Sequence, residues 1–251
     1  VTIGATVHGQ GPPLVFLQGV IGDGDLDFRE LLPHLAPRFT CHLPSMRGRG
    51  LSGDHPDLGV GRVVEDYVTY VDSLGAPTGL VGWSAGANHA LAVTAQTDRV
   101  TAVAPYEPVA NTVMDAQERA ALGGAVARAG ELAASGDLAA AMRAFAEYPF
   151  DERDIAAADD AGYFEAAGRY VPSLLDVFQQ LVEHDGPLPD DPAVLGRISV
   201  PALVLHGTET RPFFATSVRH VTDHIAGAVT KEIAGAGHAA PLTHPETLAA
   251  T

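Results

Sequence analysis

Ser84 stands in Gly82-Trp83-Ser84-Ala85-Gly86, a G-x-S-x-G run between an apolar stretch and a helix-prone one. A serine hydroxyl is a weak nucleophile until a base takes its proton. A sharp strand-to-helix turn presents such a serine. It strains the nucleophile's backbone and brings the residues two before and two after it almost into contact, where only glycine fits. Gly82 and Gly86 fill those places, and Ala87, Ala90 and Ala92 let the helix lie close to the sheet. The helix N-terminus aims free N–H groups at Ser84 and favours negative charge developing there. A Gly-rich turn with an incidental Ser is common; the strand–turn–helix context gives this one chemical meaning.

The base must come from 11 histidines. His220 and His224 share an i, i+4 spacing that suits a metal, but without the acidic partners of a metalloprotease motif they read as a solvated face. His244 opens a helix at His244-Pro245-Glu246, and His89, inside the helix after Ser84, reads as packing. His238 follows a predicted strand in the Gly-rich run Ala234-Gly235-Ala236-Gly237-His238. A C-terminal loop there brings an imidazole over the sheet edge, which makes His238 the candidate general base.

The elements that must position these groups are legible as apolar runs. Leu14–Leu17, Phe39–Leu43, Gly79–Gly82, Val100–Ala104 and Ala202–His206 are continuous rather than alternating, as in strands buried on both faces. Thr2–Val7 and Val229–Ile233 add strands near the two ends. Val64, Tyr67, Val68 and Val71 fall at helical spacing between two of the runs. Alternating strand and helix predicts a mostly parallel sheet with helices on both faces. The alternation stops between Asn111 and Leu195, an Ala-rich, helix-prone segment carrying Phe145, Tyr148, Phe150, Tyr163, Phe164, Tyr170 and Phe178. The stretch from His184 to Pro192 returns the chain to the sheet, since its Pro and Gly resist helix and strand.

Taken together, Leu17-Gln18-Gly19, Arg47-Gly48-Arg49-Gly50-Leu51-Ser52-Gly53, the Gly82–Gly86 elbow and Gly237-His238 resemble the α/β-hydrolase superfamily, in order and spacing, over essentially the whole chain. The resemblance is closest to single-domain bacterial serine hydrolases with a helical cap between the family's sixth and seventh strands. It implies a core of residues 1–110 and 196–251, a cap of residues 111–195, and a last helix cut short after Pro245-Glu246-Thr247-Leu248. It also implies an oxyanion hole from the N–H groups of Ala85 and Val20. Gln18 departs from the family's usual His in that loop. The triad acid usually follows the seventh strand as Gly-x-x-Asp, but here Gly207-Thr208-Glu209-Thr210 puts Thr210 at that place and Glu209 one residue early. Some branches use a position after the sixth strand, where Glu107 ends a buried run and needs a partner. Glu107 is favoured over Glu209.

Two motifs are set aside. Gly48-Arg49-Gly50-Leu51-Ser52-Gly53 matches G-x-G-x-x-G, but a Pro- and Asp-containing loop follows it rather than a βαβ turn. Asp23-Gly24-Asp25-Leu26-Asp27 resembles a calcium loop, but Phe28 stands at position six and His34 at position twelve.

Composition narrows the remaining classes. The chain has 251 residues, enough for one large domain with a real core, and 46% of them are hydrophobic. Its 15 basic against 31 acidic residues give −16, and Lys231 is the lone lysine, which argues against nucleic acid. Cys41 alone makes neither a disulfide nor a multi-Cys zinc site. No apolar run reaches the ~18 residues of a membrane span. The start, Val1-Thr2-Ile3-Gly4, is not signal-like, and the composition predicts a cytoplasmic protein. The reading is a cofactor-free, metal-free serine hydrolase acting on a small hydrophobic ester, lactone or similar acyl compound. Ser84, His238 and Glu107 form the triad, and Trp83, Tyr163, Phe164 and Phe178 contact substrate. Two alternatives use the same fold: acyl transfer or cyclisation without water, and a ligand receptor with slow turnover. The sequence does not give an oligomeric state.

Overall fold

The computed structural model describes residues 1–251. Seven strands form one sheet in the order β1-β3-β2-β4-β5-β6-β7. They are β1 (Ala5–His8), β2 (Pro13–Leu17), β3 (Thr40–Pro44), β4 (Thr78–Trp83), β5 (Val100–Tyr106), β6 (Leu203–Gly207) and β7 (Val229–Ile233). Only β1 runs antiparallel to its neighbour; every other pair is parallel. The family's sixth and seventh strands are therefore β5 and β6 of this chain.

The central strands are apolar at consecutive positions because both faces are covered. On β2, Phe16 joins one apolar cluster while Val15 and Leu17 join the other, and all three are fully buried. Helix Val60–Ser73 buries Val63, Val64, Tyr67 and Val71, while Val68 stays half-buried at the edge of that stripe. Helix Ala85–Thr94 packs against the sheet on its small residues. A Cβ on Gly86 would lie 2.0 Å from the Leu17 carbonyl oxygen, and one on Gly82 would lie 2.3 Å from that of Gly86.

Two strands differ from the sequence reading. The first begins at Ala5 rather than Thr2, because Gly4 N–H donates to Ser52 Oγ and Thr2 C=O accepts from Gly53, tying the start to the 47–53 loop. Strand β5 runs two residues beyond Ala104, carrying Tyr106 to the edge of the sheet and placing Glu107 just past it.

Between β5 and β6 the chain holds helices and no strand, chiefly Ala116–Ala134, Leu138–Ala146, Glu152–Asp160 and Val171–Glu183. This insertion lies over the C-terminal ends of the strands. Its Phe145, Phe150, Tyr163 and Phe164 share one continuous apolar cluster with Phe16, Trp83 and Tyr106 of the sheet.

Candidate active site

The C-terminal ends of the parallel strands meet beneath this insertion, where α/β sheets usually place their sites. Ser84 sits between β4 and helix Ala85–Thr94 with φ 57° and ψ −119°. This left-handed backbone is costly for a residue with a Cβ, and the surrounding structure holds it. Ser84 N–H donates to the Tyr106 carbonyl at 2.9 Å, tying the turn to β5. The turn leaves the Ser84 side chain bordering a cavity.

His238 borders the same cavity, and its Nδ1 lies 2.6 Å from Glu107 Oε2. The His238 and Glu107 side chains are 2% and 0% exposed, so the pair is closed to solvent. A buried carboxylate is tolerable only when paired and hydrogen-bonded. Glu107 meets that condition with two further donors: Gly207 N–H to Oε1 at 2.9 Å and Thr210 Oγ to Oε2 at 2.8 Å. Glu107 itself has φ 45°, the other non-glycine residue with a left-handed backbone. Glu209 is exposed, and its carboxylate meets only Thr208 Oγ at 3.4 Å. Thr210, which stands at the family's usual acid position, serves Glu107 as a hydrogen-bond donor.

Packing fixes the His238 ring. Phe214 stacks on it with centroids 4.1 Å apart, Trp83 Nε1 donates to the His238 carbonyl at 2.7 Å, and Tyr106 OH donates to the Gly237 carbonyl at 2.5 Å. Asp154 of the insertion accepts the Ala239 N–H at 3.1 Å, and burial pushes its carboxyl up to about 6. Since His238 Nδ1 faces Glu107, Nε2 is the ring nitrogen left without a partner within the protein.

Val20 and Ala85 border the cavity beside Ser84, and the backbone N–H of neither has an acceptor within the protein. The loop carrying Val20 is held by buried polar groups. Gln18 Nε2 donates to the Gly22 carbonyl at 2.8 Å and Gln18 Oε1 accepts from Met46 N–H at 3.0 Å, so the amide braces the loop from both ends. Arg49 Nη1 donates to the carbonyls of Val20 at 2.7 Å and Gly22 at 2.8 Å. Asp27 accepts Gly19 N–H and the Tyr163 hydroxyl, each at 2.7 Å. Burial pushes Asp27 up to about 7, against these two hydrogen bonds, which favour its charged form. Burial likewise lowers the pKa of the Arg49 guanidinium. The insertion reaches this loop again through Ser173 on Arg49 Nε at 3.0 Å and through the Tyr170 hydroxyl on Asp23.

Of the 27 residues lining the cavity, 19 are hydrophobic and none is Lys, Arg, Asp or Glu, so its surface suits a neutral, apolar guest. Trp83, Tyr163 and Phe178 line it. Phe164 does not: it packs behind the wall against Phe150 and Tyr163, because its short helix turns that side chain into the core. Sequence reasoning missed Thr210, Asp27, Arg49 and Asp154 as supports of the site. Arg49 and Asp27 did stand in the two motifs that matched neither a dinucleotide nor a calcium loop. His220 and His224 lie away from the cavity, with ring nitrogens on the carbonyls of Asp190 and His220, each at 2.8 Å.

The chain belongs to the alpha/beta hydrolase fold family, whose model matches residues 12–245. No curated protein sequence matches it. Solved structures do. An alpha/beta hydrolase from Sphaerobacter thermophilus is 24% identical with a TM-score of 0.70, covering 98% of this chain and 96% of that one. A thermophilic esterase from Thermogutta terrifontis is 20% identical with a TM-score of 0.77, covering 99% and 90%. An enol-lactonase from Burkholderia xenovorans is 19% identical with a TM-score of 0.75, covering 99% and 94%. At these identities the likeness establishes the fold. No helix of the chain is long and apolar enough to cross a membrane.

Proposed function

We propose that this protein is a serine hydrolase that cleaves an ester, lactone or similar acyl bond of a small, neutral, hydrophobic substrate. The observation that carries the reading is the convergence, at one place on an apolar cavity, of a strained Ser84, the buried Glu107–His238 pair and two unpaired amides. The esterase and the enol-lactonase of similar fold support acyl chemistry.

In this mechanism Ser84 Oγ bonds to the acyl carbon as His238 Nε2 takes its proton. Glu107 keeps the Nδ1–H tautomer and stabilises the imidazolium. The carbonyl oxygen, now an oxyanion, receives the N–H groups of Val20 and Ala85. Collapse breaks the bond to the leaving oxygen, which takes the proton from Nε2. Water then repeats the sequence on the acyl-enzyme. Residues 111–195 act as a lid: they roof the cavity, exclude water and contribute no nucleophile. Trp83, Tyr163 and Phe178 set which acyl or alcohol groups fit.

Rapid mixing with a p-nitrophenyl ester of a medium-chain acid tests the reading. A burst of nitrophenol, together with an acyl mass on the Ser84 peptide after acid quench, is the expected result. Turnover without an acyl adduct, or an adduct elsewhere, would overturn it.

A further inference from the structure

His89 lies five residues beyond Ser84 in helix Ala85–Thr94 and lines the same cavity. Outside Ser84 and His238, polar side chains there are engaged. Asn88 exchanges hydrogen bonds of 2.6 and 2.8 Å with the backbone of Val109, Tyr148 OH donates to Glu118 at 3.1 Å, and Tyr163 OH donates to Asp27 at 2.7 Å. His89 is different: neither ring nitrogen has a partner within the protein, and Nδ1 is sealed from solvent. The Tyr67 ring packs against it with centroids 5.8 Å apart. Val60 and Val63, from the helix that carries Tyr67, line the cavity too, so His89 lies at the end bordered by that helix.

The chemistry of the ring follows from this burial. Desolvation lowers its pKa to about 4, so the imidazole is neutral at neutral pH. A neutral imidazole carries one proton. On Nδ1 it would be a sealed donor without an acceptor, and unpaired buried donors are rarer than unpaired acceptors. The proton therefore resides on Nε2, the nitrogen that remains accessible, as a donor offered to the cavity. No cationic side chain lines the cavity to accompany it, so the donor suits an uncharged acceptor rather than a carboxylate.

We propose that His89 is a second recognition point in the cavity, donating from Nε2 to a neutral acceptor oxygen of the ligand, such as a ketone, ester or ether oxygen. On the serine-hydrolase reading, that oxygen lies apart from the scissile carbonyl, at the end of the cavity bordered by helix Val60–Ser73. A guest with no such oxygen strips water from the imidazole and returns nothing, so the site discriminates against pure hydrocarbon.

Binding can be read without turnover, because Trp83 is the one tryptophan in the chain and lines the cavity. Quenching of its fluorescence is titrated with 2-octanone and with 2-methyl-1-octene, in which a methylene replaces the oxygen. The wild type should bind the ketone about tenfold more tightly, the scale of one net hydrogen bond. His89→Phe, which keeps a ring against Tyr67, and His89→Leu should both abolish that preference or reverse it towards the alkene, because the buried ketone oxygen then meets no donor, while His89→Gln, which keeps a donor, should retain part of it. An even ratio in the wild type overturns the proposal. So does a preference undiminished in His89→Phe and His89→Leu, which would assign the ketone to the Val20 and Ala85 amides. A ketone preference that needs His89, in a protein whose Ser84 fails to acylate, would remove the hydrolase reading and leave this one standing.

Discussion

The two sides of the cavity are built on different physics. On the acid–base side, His238 is fixed by aromatic packing and one short contact to Glu107, and its neighbours come from the ends of β4, β5 and β6. On the oxyanion side, the Val20 loop is fixed by buried polar groups, Gln18, Asp27 and Arg49, and their partners Tyr163 and Ser173 come from the insertion. The first side takes its acid and base from loops at the strand ends, with Asp154 and Phe150 of the insertion packed beside the base. The second also takes partners from the insertion, Tyr163 on Asp27 and Ser173 on Arg49.

The largest effect belongs to the acid–base side. Glu107→Gln should lower kcat by about 10⁴, the cost of leaving a triad imidazole in the wrong tautomer. Glu209→Gln, at an exposed carboxylate, should stay within about tenfold of wild type in steady-state ester hydrolysis. The reverse ranking would move the acid to Glu209.

The oxyanion side should respond less steeply. Arg49→Met frees the Val20 and Gly22 carbonyls and lets the loop drift, with an expected loss of about 10² in kcat, approaching that of a deleted oxyanion donor. KM should change little, because Arg49 does not line the cavity. A fall confined to KM would break the proposed link between this network and the oxyanion.

Asp27 offers a pH test of the same network. Its carboxyl is held near 7 in the fold, well above its ordinary value of 3.8, so between those values the folded state binds more protons than the unfolded chain. Asp27 therefore contributes a loss of stability as pH rises from about 4 to about 7. Asp154 pulls the same way and His89 the opposite way, so the readout is the difference between wild type and Asp27→Asn. The substitution should gain Tm relative to wild type as pH rises through that window. Parallel curves would mean that Asp27 is already ionised throughout.

The smallest effects separate lining from packing on the lid. Phe178→Ala should change the preferred acyl length by a few carbons while Ser84 keeps its reactivity. Phe164→Ala should leave chain preference alone and cost about 3–5 kcal/mol of stability, as for other buried Phe truncations. Urea unfolding and a series of p-nitrophenyl esters distinguish the two.

The same contrast explains what could be read from the sequence. Strand positions after the first came within a residue or two because Leu14–Leu17 or Ala202–His206 must be apolar on both faces, and a local run records that. The elbow was legible because Gly82 and Gly86 answer a constraint within five residues. Phe164 was misplaced among the lining residues because its helix spans five residues, too few for a periodicity to say which side chains face inward. The oxyanion network was not legible, since Tyr163 meets Asp27 across 136 residues and Arg49 meets Ser173 across 124. No local pattern encodes a contact of that kind. Thr210 read as a missing acid, and its hydroxyl on Glu107 emerged only when β5 and β6 lay side by side.

The central claim is that Ser84 is a nucleophile activated by His238. A fluorophosphonate probe followed by peptide mapping tests it most directly. The account predicts one adduct per chain on Ser84, no adduct in Ser84→Ala, and strongly slowed labelling in His238→Ala. Undiminished labelling in Ser84→Ala, or an adduct mapped to another serine of the wild type, would contradict it.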